Sequence, residues 1–143
     1  MKVAIGNDHA GVELKNILID HLKSKNIDCI NVGTDTIDSC DYPVFAKKVA
    51  KEVLDKNADF GILICGTGIG ISIAANKVKG IRAAKVNNEI EARLTKEHNH
   101  ANVICLGARI IGTELAKSIV DAYIDAKCSN DEKHIRRIKM LEE

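Results

Sequence analysis

The chain has 143 residues, 45% of them hydrophobic and 29% charged, with a formal net charge of +1. This composition suits a folded domain with a buried core, and it speaks against a disordered chain or a nucleic-acid binder. Aromatic residues make up 3% and Trp is absent, so stacking on bases or sugar faces is not the main mode of recognition.

Met1 to Ile5 is an apolar run ending at Gly6-Asn7-Asp8-His9-Ala10-Gly11. It turns polar too soon for a signal peptide, and no later run reaches membrane-spanning length. Leu14, Ile17, Leu18, His21 and Leu22 then mark one face of a helix. Ile27 to Val32 reads as a second strand, followed by a polar loop up to Asp41-Tyr42-Pro43. The single proline suits the first turn of a helix, whose apolar face is Phe45, Val49, Ala50 and Val53.

Phe60 to Cys65 reads as strand three and runs straight into Gly66-Thr67-Gly68-Ile69-Gly70-Ile71-Ser72. A buried strand, a tight glycine loop and a helix start are implied. Ile81 to Val86 reads as strand four. A polar helix from Asn88 to Glu97 leads to His98-Asn99-His100-Ala101-Asn102, and strand five is Val103 to Leu106, ending at Gly107-Ala108-Arg109. Leu115, Ile119, Val120 and Tyr123 mark the next helix, and Asn130 to Glu143 is helical and charged.

Strands alternating with helices predict βαβ units. The expected fold is an α/β, Rossmann-like three-layer sandwich over residues 1–143: a single domain with a five-stranded parallel sheet and a C-terminal helix. Ligands of such sheets bind outside the carboxyl ends of the strands. Asp8, His9, the segment from Cys65 to Gly70, and Arg109 all follow a predicted strand end, so one cleft can gather them.

Five cysteines, an odd number with no C-x-x-C spacing, predict free thiols in a reducing cytoplasm. Cys29 and Cys105 sit in strand-like runs and read as inert core. Cys40 and Cys128 lie in polar surroundings without an evident role. Cys65 alone stands where a strand gives way to a helix, and thiols at helix N-termini ionise more readily near neutral pH. The glycine N–H groups beside it suit an oxygen that becomes an anion during reaction.

Other chemistries fail on detail. The third glycine of a dinucleotide fingerprint is replaced by Ile71. No Gly-Lys-Ser/Thr closes a P-loop. His98 and His100 lack the thiolate pair of a zinc site, so no metal site is expected. Taken singly, Asp8 also fits a helix N-cap, His98 a solvated loop histidine, and Arg109 a surface ion pair. His9 also fits a packing role. The terminal Lys/Arg set fits a solvated face interleaved with Glu132, Glu142 and Glu143.

Taken together, the blocks say more. Asp8-His9-Ala10-Gly11, Asp41-Tyr42-Pro43, the run from Cys65 to Lys77, Glu97-His98-Asn99-His100-Ala101-Asn102 and Gly107-Ala108-Arg109 resemble type B ribose-5-phosphate isomerase over essentially the whole chain. The resemblance implies interconversion of D-ribose 5-phosphate and D-ribulose 5-phosphate, a pentose phosphate pathway step, without metal or organic cofactor. It implies Cys65 as the base that moves a proton between C2 and C1 through a cis-enediolate. It also implies that the N–H groups of Gly66, Thr67, Gly68, Ile69 and Gly70 hold the enediolate oxygens, with the Thr67 hydroxyl adding to them.

By the same resemblance, His98 helps open the furanose ring, Asp8 and Asn99 meet sugar hydroxyls, and Tyr42 borders the pocket. His9, Arg109 and the terminal helix bind phosphate. The family's usual Arg-His-x-x-Arg reads Lys133-His134-Ile135-Arg136-Arg137 here. Lys133 and Arg137 therefore take the phosphate positions, with Arg136 as the alternative ligand. Lysine offers a point charge rather than a fork. His21 and His134 read as structural. A six-carbon substrate, allose 6-phosphate or galactose 6-phosphate, is the alternative activity; a non-catalytic phosphate-binding module is a third reading.

His98-Asn99 precedes strand five, so it belongs toward the amino-terminal edge of the sheet, away from Cys65. A homodimer with shared active sites is expected, and pairing into tetramers is left open. The expected partner is a small sugar phosphate, with neither nucleic acid nor membrane.

Overall fold

The computed structural model describes residues 1–143. The order of elements is β1 (Lys2–Asn7), a 3₁₀ turn (His9–Gly11), α1 (Val12–Ser24), β2 (Asp28–Asn31), α2 (Tyr42–Leu54), β3 (Phe60–Cys65) and α3 (Ile69–Asn76). They are followed by β4 (Ala83–Lys85), α4 (Glu89–Asn99), β5 (Val103–Gly107), α5 (Thr113–Asp125) and α6 (Glu132–Leu141). All five strands pair in parallel in the order β2-β1-β3-β5-β4. No helix is long and apolar enough to cross a membrane.

Alternation along the buried strands sends side chains to two cores. Val3, Ile5, Ile62, Ile64, Ile104 and Leu106 face Leu14, Leu18 and Leu22 of α1 and Ile119, Val120 and Tyr123 of α5. Ala4, Leu63, Val103 and Cys105 face Ala46, Val49 and Val53 of α2 and Ile71 and Ala75 of α3. The expected three-layer α/β sandwich is therefore the observed one, and a sheet covered on both faces accounts for strands apolar on both sides.

The edge strands are shorter than the sequence suggests. Strand two covers Asp28–Asn31 rather than 27–32, and strand four covers Ala83–Lys85 rather than 81–86. Val32 and Val86 each still donate one hydrogen bond, to Ile5 and Cys105, but an edge strand has a neighbour on one side only. Cys29, expected in the core, is half-buried for the same reason; burial and the nearby Asp28 charge raise its pKa. Cys105 is fully buried, and that burial pushes its thiol far up. All five cysteines are free.

Helix boundaries shift where the stop signal is unusual. The α4 helix continues through His98 and Asn99, two residues past the expected end, because His100 takes the left-handed conformation (φ 46°) that closes it. The N–H of His100 caps Lys96 O at 3.1 Å. Only Gly adopts such a conformation freely, so no local signal marked this stop.

Candidate active site

The sheet order reverses direction between β1 and β3, which makes their carboxyl ends the switch point where ligands of open parallel sheets bind. Asp8 leaves β1 there, and its N–H donates to Ile64 O of β3 at 3.1 Å. Its Oδ1 accepts from Ala10 N at 3.0 Å and caps the 3₁₀ turn. The capping role is thus real, and it uses one of the two carboxylate oxygens. The next residue, His9, is half-buried, and its Nδ1 accepts the Cys40 N–H at 3.3 Å, with Cys40 Sγ 3.8 Å away.

Cys65 closes β3 in a buried position. Its Sγ accepts the N–H of Gly68 at 3.1 Å. Gly68 has φ 77°, and a Cβ there would stand 2.9 Å from the Leu106 carbonyl carbon. The turn that aims this N–H at sulfur therefore requires glycine twice over. Thr67 Oγ1 accepts the Ile69 N–H at 3.2 Å, which leaves the hydroxyl proton without a partner in the loop. The N–H groups of Gly66, Thr67 and Gly70 donate to no protein atom. Two of the five N–H groups in the glycine segment, those of Gly68 and Ile69, thus have partners inside the loop.

Two side chains wall this loop. A Cβ on Gly70 would sit 2.7 Å from the Tyr42 ring, and one on Gly66 would sit 3.0 Å from Arg109 Nη1. Tyr42 begins α2, while Arg109 follows β5 and donates its own N–H to Gly66 O at 2.9 Å. Asp8, His9, Tyr42, the glycine loop and Arg109 thus share the carboxyl edge.

His98, Asn99, Lys133 and Arg137 do not join them. Asn102 O accepts from Gly61 N at the start of β3. Cys65 closes the same strand four residues on, about 13 Å away at ~3.3 Å per residue. At this amino-terminal edge, His98 stacks on His134 of α6, ring centroids 4.3 Å apart and 12° from parallel. His134 is structural, as expected: it docks α6 on the end of α4. Desolvation, and then the neighbouring His98, hold it below the usual imidazole range. The α6 segment is further tied down by Ser129 N to Glu97 O (2.9 Å) and by His100 Nε2 to Ser129 O (2.8 Å).

Arg82 braces the same edge through Asn99 O (3.0 Å), His100 O (2.9 Å) and Glu142 (2.5 Å). Lys133 and Arg137 are exposed; Lys133 lies 3.7 Å from Asp131, and Arg136 and Arg137 make no ion pair. No group of three or more His, Cys, Asp or Glu is arranged to hold a metal ion. Sequence reasoning missed the His98–His134 stack and the buried Lys15. The first depends on α6 folding back, and the second is a charge on an otherwise apolar helix face.

A thiol held by its own glycine loop at the switch point of a parallel sheet places the chain among the open α/β folds, whose ligands as a class rest on the carboxyl edge. A family model described as Ribose/Galactose Isomerase matches residues 3–141. Ribose-5-phosphate isomerase B of Escherichia coli (strain K12) is 44% identical over 140 residues, covering 98% of this chain and 93% of its own. A structure of Clostridium thermocellum ribose-5-phosphate isomerase B superposes with a TM-score of 0.97 at 46% identity, over 99% of this chain and 95% of that one. A structure of ribose-5-phosphate isomerase B from Mycoplasma genitalium with bound ribulose-5-phosphate superposes with a TM-score of 0.93 at 41% identity, over 99% and 93%. The chain belongs to the ribose/galactose isomerase family.

Proposed function

We propose that this isomerase interconverts D-ribose 5-phosphate and D-ribulose 5-phosphate, with Cys65 as the base. The observation that carries this reading is the Gly68 N–H on Cys65 Sγ at the foot of a loop with three free donors. In the open-chain aldose, the Cys65 thiolate takes the C2 proton. The C2–H electron pair becomes the C1–C2 double bond, and the carbonyl pair moves onto O1. The N–H groups of Gly66, Thr67 and Gly70, with the Thr67 hydroxyl, stabilise the resulting cis-enediolate. The thiol then returns the proton to C1 as the C2 carbonyl forms, while the hydroxyl proton passes from O2 to O1.

His9 and Arg109 are well placed for the phosphate on the carboxyl edge, with Asp8 for a hydroxyl and Tyr42 as a wall. His98, Asn99, Lys133 and Arg137 would come from a second copy. His98 would open the furanose ring, Asn99 would meet a hydroxyl, and the two cations would complete the phosphate site. On a helix advancing ~100° per residue, Lys133 and Arg137 lie on one side of His134, about 40° apart, and Arg136 lies on the far side. With His134 fixed against His98, this favours Arg137 over Arg136.

A second copy also has an apolar surface to meet. On the short, largely apolar α3, Ile69 and Ile73 are more than half exposed, beside the loop that needs completing. We take the working unit to be a homodimer, active in the cytoplasm, where its five free thiols stay reduced.

The test is a side-by-side assay of ribose 5-phosphate, allose 6-phosphate and galactose 6-phosphate. Turnover with kcat/KM highest for ribose 5-phosphate is expected. A preference for a six-carbon substrate would assign the chain to the other branch and make Lys133 the first residue to examine.

A further inference from the structure

On the apolar face of α1, between Leu14 and Leu18, lies Lys15, and its side chain is fully buried. An ammonium taken out of water costs far more than an apolar side chain of the same length unless it is paired and hydrogen-bonded. Its partners are long-range: Nζ donates to Thr34 O and to Asp35 Oδ1, each at 2.5 Å. Both belong to the stretch of 32–41 that joins β2 to α2 and forms neither helix nor strand.

Thr34 O is gripped a second time. The buried Asn7, last residue of β1, donates Nδ2 to Thr34 O at 3.1 Å and to Asp8 O at 2.8 Å. One side chain thus links the loop to the backbone of the residue preceding His9. Asn31 Nδ2 adds a bond to Asp35 Oδ1 at 3.0 Å. Beyond Asp35 the tethers run out: the next hydrogen bond from the loop to the rest of the fold is Cys40 N to His9 Nδ1. Two residues later α2 begins with Tyr42, which lies over Gly70.

The Cys40 contact has a chemical consequence. A backbone N–H pointing at Nδ1 makes that nitrogen the acceptor, so a neutral His9 carries its proton on Nε2. That tautomer presents a hydrogen-bond donor to an anion; the other would present a lone pair.

We infer that Lys15 is a positioning residue for substrate phosphate: through Thr34 and Asp35 it holds the 32–41 loop where Cys40 fixes His9 as an Nε2–H donor. This rests on the reading above that His9 meets the phosphate. The buried charge thereby gains a role that an apolar residue at position 15 could not fill.

The test compares Lys15→Met, His9→Ala and the double variant in the full-length enzyme, with the imidazole nitrogens of His9 followed by NMR. Lys15→Met is expected to raise KM about tenfold with kcat little changed and to turn His9 from an Nε2–H form into a mixture of tautomers. The double variant is expected to have the KM of His9→Ala, because Lys15 acts through His9. Asp35→Ala removes one of the two anchors of Lys15, from an exposed side chain, and carries the test if Lys15→Met folds poorly; a smaller KM rise with the same tautomer change is expected. An unchanged His9 tautomer and KM in the folded variants would overturn the inference. A changed tautomer with no KM effect in either Lys15→Met or His9→Ala would leave the positioning intact and remove His9 from the phosphate site.

Discussion

The two ends of the sheet are built in different ways, and the proposed function divides one chemistry between them. The carboxyl edge is organised from within: Gly68 on Cys65 Sγ, Ile69 on Thr67 Oγ1 and Cys40 on His9 Nδ1 leave a few donors facing outward. The amino edge is braced from behind by Arg82, Ser129 and the His98–His134 stack, and it presents cations that have little to hold within the chain. In the proposed mechanism the first edge supplies the base, the oxyanion site and two phosphate ligands, His9 and Arg109. The second would add an imidazole, His98, and the remaining phosphate ligands, Lys133 and Arg137. A strand's length separates them, so the site proposed above needs the two edges brought together from two copies.

The largest expected effect tests that division directly. Cys65→Ser removes the ionisable group at the carboxyl edge and should lower kcat by at least ~100-fold, the scale of a lost general base. His98→Ala at the other edge should also leave little activity. Unfolded, mixed and refolded together, the two inactive chains should recover roughly a quarter of wild-type activity, since half the dimers are mixed and each holds one intact site. If mass spectrometry shows mixed dimers that stay inactive, the two edges do not meet across copies.

Smaller effects belong to the cations of the amino edge. Lys133→Ala or Arg137→Ala should raise KM for the phosphorylated substrate on the order of tenfold, from a charge-assisted contact worth roughly 1.5–3 kcal/mol. Arg136→Ala should do much less. Steady-state kinetics separates these outcomes, and a loss confined to kcat would take α6 out of phosphate binding.

The smallest effect compares the edges through acid stability. Asp35 at the carboxyl edge is held below the usual carboxylate range, first by its hydrogen bond from Lys15. Asp131 at the amino edge is held low by the backbone N–H of Lys133, which it caps. Both are lowered in the folded chain, so each contributes stability above the ordinary carboxylate pKa of ~3.9 and loses it as pH falls through the lowered value. Thermal melts between pH 6 and pH 3 should fall less steeply for Asp35→Asn and Asp131→Asn than for wild type. The wild-type lead in Tm at pH 6 should shrink toward pH 3 by on the order of one or two degrees.

The sequence by itself determined whatever rests on local pattern. Alternating strand and helix periods announced a covered parallel sheet. A cysteine meeting three spaced glycines announced a thiol beside free N–H groups, and Pro43 announced the start of α2. These features are written within a few residues of each other, because hydrophobic period and turn chemistry act at short range. Tertiary structure alone decided the rest. The order β2-β1-β3-β5-β4 made β2 and β4 edges and cut them short. His98 found a stacking partner in His134, 36 positions away in the sequence. Lys15 breaks the apolar face of α1 and makes sense only against Thr34 O and Asp35, which no helical period could supply. A buried charge is explained by its partners, and the fold alone brings those partners within reach.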